Sequence, residues 1–234
     1  MALRKRLRYA TVLVAIFVVS GTVVGQEEAS ISGSLTVTTD YVFRGYTQTG
    51  EDAAVQGGLD WADSSGWYVG TWASSIDFGL ADDASIEVDI YGGYAWEAND
   101  VSYDVGLLYY AYPGADSSSG YDFIEAYASL GYDLDAVSLS GAVHFTPDNF
   151  GETGTGWYLT GGLSGGLTDA LSLDANVGFS QVTEDFGEDY LDWNVGLSYS
   201  FSQLALDLRY HDTDAPDCAG SCDARVVLSL SAGF

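Results

Sequence analysis

The charged side chains of this sequence are the groups with the clearest chemical potential. Beyond residue 25 the only strong cations are Arg44, Arg209 and Arg225, whereas the chain has 34 Asp and Glu residues. Eight of the acids alternate with apolar residues: Asp60, Glu87, Asp89, Asp104, Glu125, Asp174, Asp192 and Asp207. Carboxylates lining one wall attract cations, and arginines facing them would set up a field across a passing solute.

Two interpretations of these charges remain open. In the first, the three arginines form one wall of a constriction and Glu87, Glu125 and Asp192 form the other, with Asp89 and His144 facing the same space. In the second, the arginines pair with Asp207 and other acids to fill a narrow interior, because enclosed charges must be paired.

The two histidines, His144 and His211, are the candidates for acid–base catalysis. A hydrolase needs Ser and His together, oriented by a third polar group, and neither histidine lies in such a motif. The chain also lacks GxSxG, HExxH and a phosphate-binding glycine loop. We expect no enzyme activity and no cofactor, interpret His144 as a polar interior residue, and rank a lipid-acting enzyme as a distant alternative.

Cys218 and Cys222 lie in the segment DCAGSCD. Two thiols in an exported chain favour a disulfide. A metal site using nearby Asp217 and Asp223, with His211 or Asp214 as a further ligand, is the alternative. Two cysteines alone are a weak signal, and we predict no metal.

The elements that position these residues follow from hydrophobicity with a period of two. Apolar residues recur at alternate positions in segments such as Ile31–Thr39, Val101–Tyr109, Leu171–Phe179 and Val226–Phe234, which is the β-strand pattern. About twelve such strands fit, each of roughly 10–12 residues and so long enough to cross a bilayer at a tilt. Residues 67–78 carry aromatics on both faces, so their orientation is undecided. We predict an all-β fold, a transmembrane antiparallel up-and-down β-barrel of about 12 strands.

The connections support a membrane barrel over a soluble β-sandwich. Short turns and longer loops alternate, as expected for periplasmic turns and outer loops. Twelve long strands with outward aromatics would also expose too much apolar surface to water in a soluble protein. The terminal Phe234 resembles the signal that the outer-membrane assembly machinery recognises.

This topology predicts where the arginines lie. All three have inward parity, with Arg44 ending the first strand, Arg209 near the end of the eleventh and Arg225 beginning the twelfth. Since these strands are neighbours in a closed barrel, we expect the three arginines to lie together near the extracellular mouth.

Residues 1–25 have the features of a cleaved signal peptide: a basic start, an apolar stretch of about 15 residues and small residues at its end. Residues 26–234 then form the barrel domain. The expected location is an outer membrane. The expected partners are the export and barrel-assembly machinery, outer-membrane lipid and lipopolysaccharide; the oligomeric state stays open.

The formal net charge is −27 for the whole chain. Such a chain is a poor nucleic-acid binder, because few cations are present to neutralise phosphates. The acid excess has two explanations: a cation-preferring lumen, or adaptation of a halophilic source to a saline habitat, where lumen charges are strongly screened.

Several segments, among them TTDYVFRGYTQT (Thr38–Thr49), AAVQGGLDW (Ala53–Trp61) and the terminal ARVVLSLSAGF, resemble the TorF family, whose members are classed as porins. The resemblance implies a Gram-negative outer-membrane barrel and carries over no catalytic residue. The favoured function is passive diffusion of small solutes, preferably cationic or zwitterionic. The alternative is an occluded structural or adhesion barrel that acts through acidic extracellular loops.

Overall fold

A computed structural model describes residues 29–79, 84–216, 218 and 220–234. The predicted signal peptide, residues 1–25, lies outside the described residues. Within the described ranges every regular element is a strand, and no helix there is long and apolar enough to cross a membrane. The strands are β1 (Ala29–Thr38), β2 (Val42–Phe43), β3 (Tyr46–Thr47), β4 (Ala54–Asp63), β5 (Trp67–Ser75), β6 (Ile86–Ala98), β7 (Val101–Ala111), β8 (Phe123–Leu134), β9 (Val137–Thr146), β10 (Gly156–Gly166), β11 (Leu171–Gln181), β12 (Tyr190–Phe201), β13 (Leu204–Thr213) and β14 (Arg225–Gly233).

Twelve of these strands, all except β2 and β3, form one closed barrel. Each pairs antiparallel with its neighbours in sequence order, and β14 returns to pair with β1. The closing pair is in register at Thr36 and Ser231, whose hydroxyls share a hydrogen bond of 2.8 Å. The prediction of a closed, twelve-stranded antiparallel barrel is confirmed.

The two faces of the barrel wall differ as the alternation predicts. On β11, for example, Val177 points outward and is 49% exposed, whereas its neighbour Asn176 faces the lumen and bonds Asp174 and Asn194. The orientation left open for residues 67–78 is now defined on β5: Trp67 and Val69 point outward, and Tyr68 and Trp72 point inward. The outside is therefore an apolar band.

Aromatic side chains flank this apolar band at both ends. At the short-turn end, Trp96 stacks on Tyr103 with ring centroids 5.2 Å apart. At the long-loop end, Trp157 packs against Phe145 at 4.6 Å. Two such girdles are typical of barrels at membrane–water interfaces.

Connection lengths define two different ends. At one end the turns are tight; between β6 and β7 only Asn99 and Asp100 connect the strands, both with positive φ (54° and 64°), as a type I′ hairpin turn requires. Strand β1 begins and β14 ends at this end of the barrel, where the backbones of Gly33 and Phe234 are hydrogen-bonded to each other. The longer connections all lie at the opposite end, where the candidate site is found.

Candidate functional site in the barrel lumen

The segment between β1 and β4 folds into the barrel instead of extending above it. Strands β2 and β3 form a small two-stranded sheet separate from the wall. The reversal between them lies at Arg44 and Gly45, which both have positive φ (46° and 88°). A Cβ on Gly45 would lie 2.9 Å from the Cβ of Thr213 on β13, so the tip touches the barrel wall. We call residues 39–53 the inserted hairpin.

Polar contacts attach the inserted hairpin to the wall. Asp40 accepts hydrogen bonds from the hydroxyls of Thr47 and Thr49 (2.6 and 2.8 Å), which fixes the hairpin internally. The Tyr41 hydroxyl donates to Glu87 Oε1 on β6 at 2.9 Å. Backbone bonds then tie the hairpin to other loops: Thr47 N–H donates to the Ser221 carbonyl, and the Gln48 carbonyl accepts from Asp77 N–H, both at 2.8 Å.

Arg44 reaches across the lumen to β8. Its Nη2 lies 2.8 Å from Glu125 Oε2, and Glu125 is only 1% exposed. Tyr110 on β7 donates to the same oxygen at 2.9 Å, and His144 Nδ1 on β9 is 3.5 Å from it. The guanidinium carbon also lies 4.2 Å from the ring centroid of Tyr158 on β10.

Arg209 on β13 forms a second, separate ion pair in the lumen. Its guanidinium contacts Asp174 on β11 at 2.6 and 2.9 Å and Asp207 on its own strand at 3.2 Å. It also donates to the Asn194 side chain at 2.6 Å. One arginine therefore pairs with two carboxylates, and Arg209, Asp174 and Asp207 together carry a net negative charge.

Arg225 at the start of β14 forms a third pair. Its Nη1 lies 3.0 Å from Asp40 Oδ2 in the inserted hairpin and 3.7 Å from Glu51. Its Nη2 donates to the Gly220 carbonyl at 3.1 Å. Arg225 thus links the hairpin to the last long loop.

The expected cluster of three arginines on one wall is wrong, because Arg44 does not end the first strand. That strand stops at Thr38, and Arg44 lies on the inserted hairpin with its guanidinium on the opposite wall. The sequence DYVFRGYT alternates like a continuing strand, so periodicity alone does not reveal the reversal at Gly45. Each arginine instead has its own carboxylates, as in the second interpretation of these charges.

Tyrosines are the lumen residues that sequence reasoning missed. The Tyr91 hydroxyl donates to Asp60 at 2.5 Å, and the Tyr68 hydroxyl donates to Asp104 at 2.6 Å. Inward parity next to glycine-rich strands was the available signal. Hydroxyl donors therefore satisfy several of the lumen acids where cations are scarce.

A recurring arrangement places a glycine between donor and carboxylate. Asp60, Gly70 and Tyr91 are in register on β4, β5 and β6, and the Tyr91 ring lies against Gly70. A donor that crosses a glycine lies flat on the wall, because no side chain lifts it into the lumen. The same geometry joins Arg209 to Asp174 over the intervening strand β12.

The acids of the lumen differ in burial along the barrel axis. Towards the long-loop end, Glu87, Glu125 and Asp192 are buried beneath the inserted hairpin. An aromatic cluster of loop residues packs at the same end; it comprises Phe78, Tyr112, Tyr121 and Phe150. Towards the short-turn end, Asp60 and Asp104 keep partial exposure. Asp207, also towards this end, is buried against Arg209. We call the partly exposed region around Asp60 and Asp104 the acidic vestibule.

Asp89 and the cysteines complete the set of candidate residues. Asp89 Oδ1 on β6 is buried and has no hydrogen-bond partner within the described ranges. Cys218 and Cys222 form a disulfide in the last long loop. No group of three or more His, Cys, Asp or Glu residues suited to a metal ion occurs in the described part of the chain.

Comparison with known families places this geometry in context. Residues 24–233 match the bacterial protein family of unknown function Gcw_chp. The chain belongs to the Gcw_chp family. The TorF name stays a prediction, and no curated protein matches the chain in sequence.

The barrel of this Gcw_chp protein is similar to solved channel structures. The KdgM porin aligns with a TM-score of 0.61 at 12% identity, covering 87% of this chain and 99% of that one. The NanC porin gives 0.58 at 10% identity, covering 88% and 99%. The COG4313 outer membrane channel from Pseudomonas putida F1 gives 0.52 at 10% identity, covering 90% and 98%. At these identities the likeness concerns the fold.

Proposed function

We propose that this protein is a non-enzymatic outer-membrane channel for passive diffusion of small solutes, with a preference for cations. The observation that carries the proposal is the acidic vestibule, in which Asp60 and Asp104 are paired with tyrosine hydroxyls and, among the residues that the structure describes, not with arginine. The inserted hairpin lies inside the lumen at the long-loop end and contacts the wall through Tyr41 and Arg44.

A membrane location is supported by the outer surface. Outward side chains such as Leu35, Val177 and Leu208 are half exposed or nearly so, and water would penalise an apolar band around the whole barrel. The aromatic girdles add to this, and the fold is one that outer-membrane porins use.

Cation preference follows from charge that is fixed in a narrow, low-dielectric wall. Arg209 serves both Asp174 and Asp207, so one negative charge remains there, and Asp60 and Asp104 add to it. Carboxylates that line a pore favour entry of cations over anions. Because Tyr91 and Arg209 cross glycines, their side chains leave the centre of the vestibule less obstructed.

Planar-bilayer recording under a KCl gradient tests this function. We expect discrete current steps with a cation-selective reversal potential, and a smaller reversal potential for the double variant Asp60→Asn/Asp104→Asn. The matched control is Asp116→Asn in an exposed loop. The Ser118 backbone N–H and hydroxyl hold the pKa of Asp116 below its usual range, so this control also removes a full charge. If the double variant and the control leave selectivity equally unchanged, lumen charge does not set it.

The hairpin inserted into the lumen supports a second candidate function, an occluded structural or adhesion barrel acting through acidic loops. The burial of Glu125 and the loop aromatic cluster favour it. A correctly folded protein that gives no current, even after Arg44→Gly removes the cross-lumen ion pair, would favour this second candidate over a channel.

A further inference from the structure

The wall residues around the Arg44 guanidinium combine a carboxylate with aromatic side chains, and we call them the box. Glu125 supplies a buried carboxylate at 2.8 Å, and the Tyr110 hydroxyl holds that carboxylate in place at 2.9 Å. The Tyr158 ring covers one face of the guanidinium, with its centroid 4.2 Å from Cζ. A carboxylate combined with an aromatic face is the arrangement that binds organic cations.

A second carboxylate adjoins this box. Asp192 on β12 accepts a hydrogen bond from Tyr158 through Oδ1 at 3.3 Å. Its Oδ2 is buried and, within the described residues, has no hydrogen-bond partner. Beside Glu125 the box therefore has a second carboxyl group, with one acceptor oxygen left unsatisfied.

The box and its occupant belong to different parts of the fold. Glu125, Tyr110 and Tyr158 lie on barrel strands β8, β7 and β10, whereas Arg44 lies on the inserted hairpin. Arg44 adopts a positive φ of 46°, which is uncommon for a residue with a side chain. Withdrawal of the hairpin would remove the guanidinium and leave the wall residues in place.

We propose that Glu125, Tyr110, Tyr158 and Asp192 form a binding subsite for guanidinium and primary ammonium groups, and that Arg44 occupies it as a tethered ligand. The transport part of this inference rests on the proposed channel function. Solutes that carry such a group compete with Arg44, so binding of the solute and insertion of the hairpin exclude each other. The favoured solute class is then organic cations with a planar or compact charged nitrogen group.

Chemical rescue tests the subsite without any need for conductance. Arg44→Gly suits the positive φ, removes the tethered guanidinium and leaves Glu125 buried without its charge partner. We expect the purified variant in detergent to unfold at a lower temperature than the wild type. Millimolar guanidinium should restore stability, by about 4 °C at ten times its dissociation constant. Methylammonium should act more weakly, and sodium at the same ionic strength should have no effect.

Matched variants assign any rescue to the box. Arg44→Gly/Glu125→Gln keeps the cavity but removes the charge, so guanidinium should no longer stabilise it. Arg44→Gly/Tyr158→Leu removes the aromatic face and should weaken guanidinium binding by about 2- to 30-fold. If Arg44→Gly does not fold, Arg44→Gln provides the same test with the cavity partly filled. Equal stabilisation by sodium, or rescue that persists in the double variant Arg44→Gly/Glu125→Gln, would overturn the proposal.

Bilayer recording then separates this inference from the proposed function. In the wild type, guanidinium should raise the open probability by competing with Arg44, and in Arg44→Gly it should produce short blocks of the open current. Rescue without current would retain the subsite and reject the channel. Current without rescue would retain the channel and reject the subsite.

Discussion

The guanidinium of Arg209 lies directly against the backbone of Gly196, its register partner on β12. Asp174 on β11 is in turn the register partner of Gly196. Arg209 therefore crosses one whole strand to reach Asp174 at 2.6 Å, and it can do so only because residue 196 has no side chain.

Replacing this glycine tests the arrangement. A methyl group in Gly196→Ala would overlap the Arg209 guanidinium and displace it from Asp174. We expect a loss of about 1–3 kcal/mol in stability, as for other overpacked sites, measured by the temperature at which the folded barrel denatures in detergent. The control is Gly141→Ala, where the nearest atom to the new methyl is 3.7 Å away. Similar losses in both variants would mean that a strand glycine stabilises the barrel through its backbone conformation, and not by leaving space for the Arg209 guanidinium.

The Tyr91–Asp60 pair is expected to stabilise the vestibule. Tyr91→Phe keeps the ring over Gly70 but removes the hydroxyl that bonds Asp60 at 2.5 Å. We expect a loss of about 1–2 kcal/mol, because the carboxylate loses its donor while remaining partly enclosed. Tyr94→Phe, on the outward face, should have little effect.

A double-mutant cycle checks the cause of that loss. In the Asp60→Asn background, Tyr91→Phe should cost less than it does in the wild type, because the charged acceptor is already absent. Strictly additive effects would show that the hydroxyl and the carboxylate do not interact.

The sequence predicts the barrel well because alternate residues of a strand point to opposite faces of the wall, so a period of two is enough to tell outward from inward side chains. Where both faces carry aromatics, as on β5, that criterion fails. The structure resolves it through partners on other strands: Trp67 packs on Tyr94 outside, and Tyr68 bonds Asp104 inside.

The site was less predictable because it depends on register and on a loop that reverses. Asp60, Gly70 and Tyr91 are far apart in sequence, and only strand register brings them into one row. Arg44 was expected at a strand end because the residues around it alternate; its actual position follows from the reversal at Gly45.

The disulfide between Cys218 and Cys222 is expected to hold the inserted hairpin in place. Ser221, within the disulfide loop, accepts the backbone bond of Thr47, and Gly220 accepts from Arg225, which also pairs with Asp40. Reduction should loosen this loop and raise the rate at which trypsin cleaves after Arg44. The variant Cys218→Ser/Cys222→Ser should be cleaved at the faster rate with or without reductant. No change on reduction would show that the hairpin is held by the wall alone.

Neighbouring residues on β11 provide the sharpest test of which face meets lipid. Val177 points outward near the middle of the strand, and Asn176 faces the lumen beside Asp174. An arginine on the lipid face near the bilayer midplane costs about 2–4 kcal/mol, whereas an arginine at position 176 lies next to the carboxylate of Asp174 in the lumen. Val177→Arg should therefore reduce folding into lipid vesicles strongly, and Asn176→Arg should fold and shift selectivity away from cations. The measurement is the yield of folded protein in vesicles. Equal yields for the two variants, or a higher yield for Val177→Arg, would contradict a membrane-embedded barrel with this orientation.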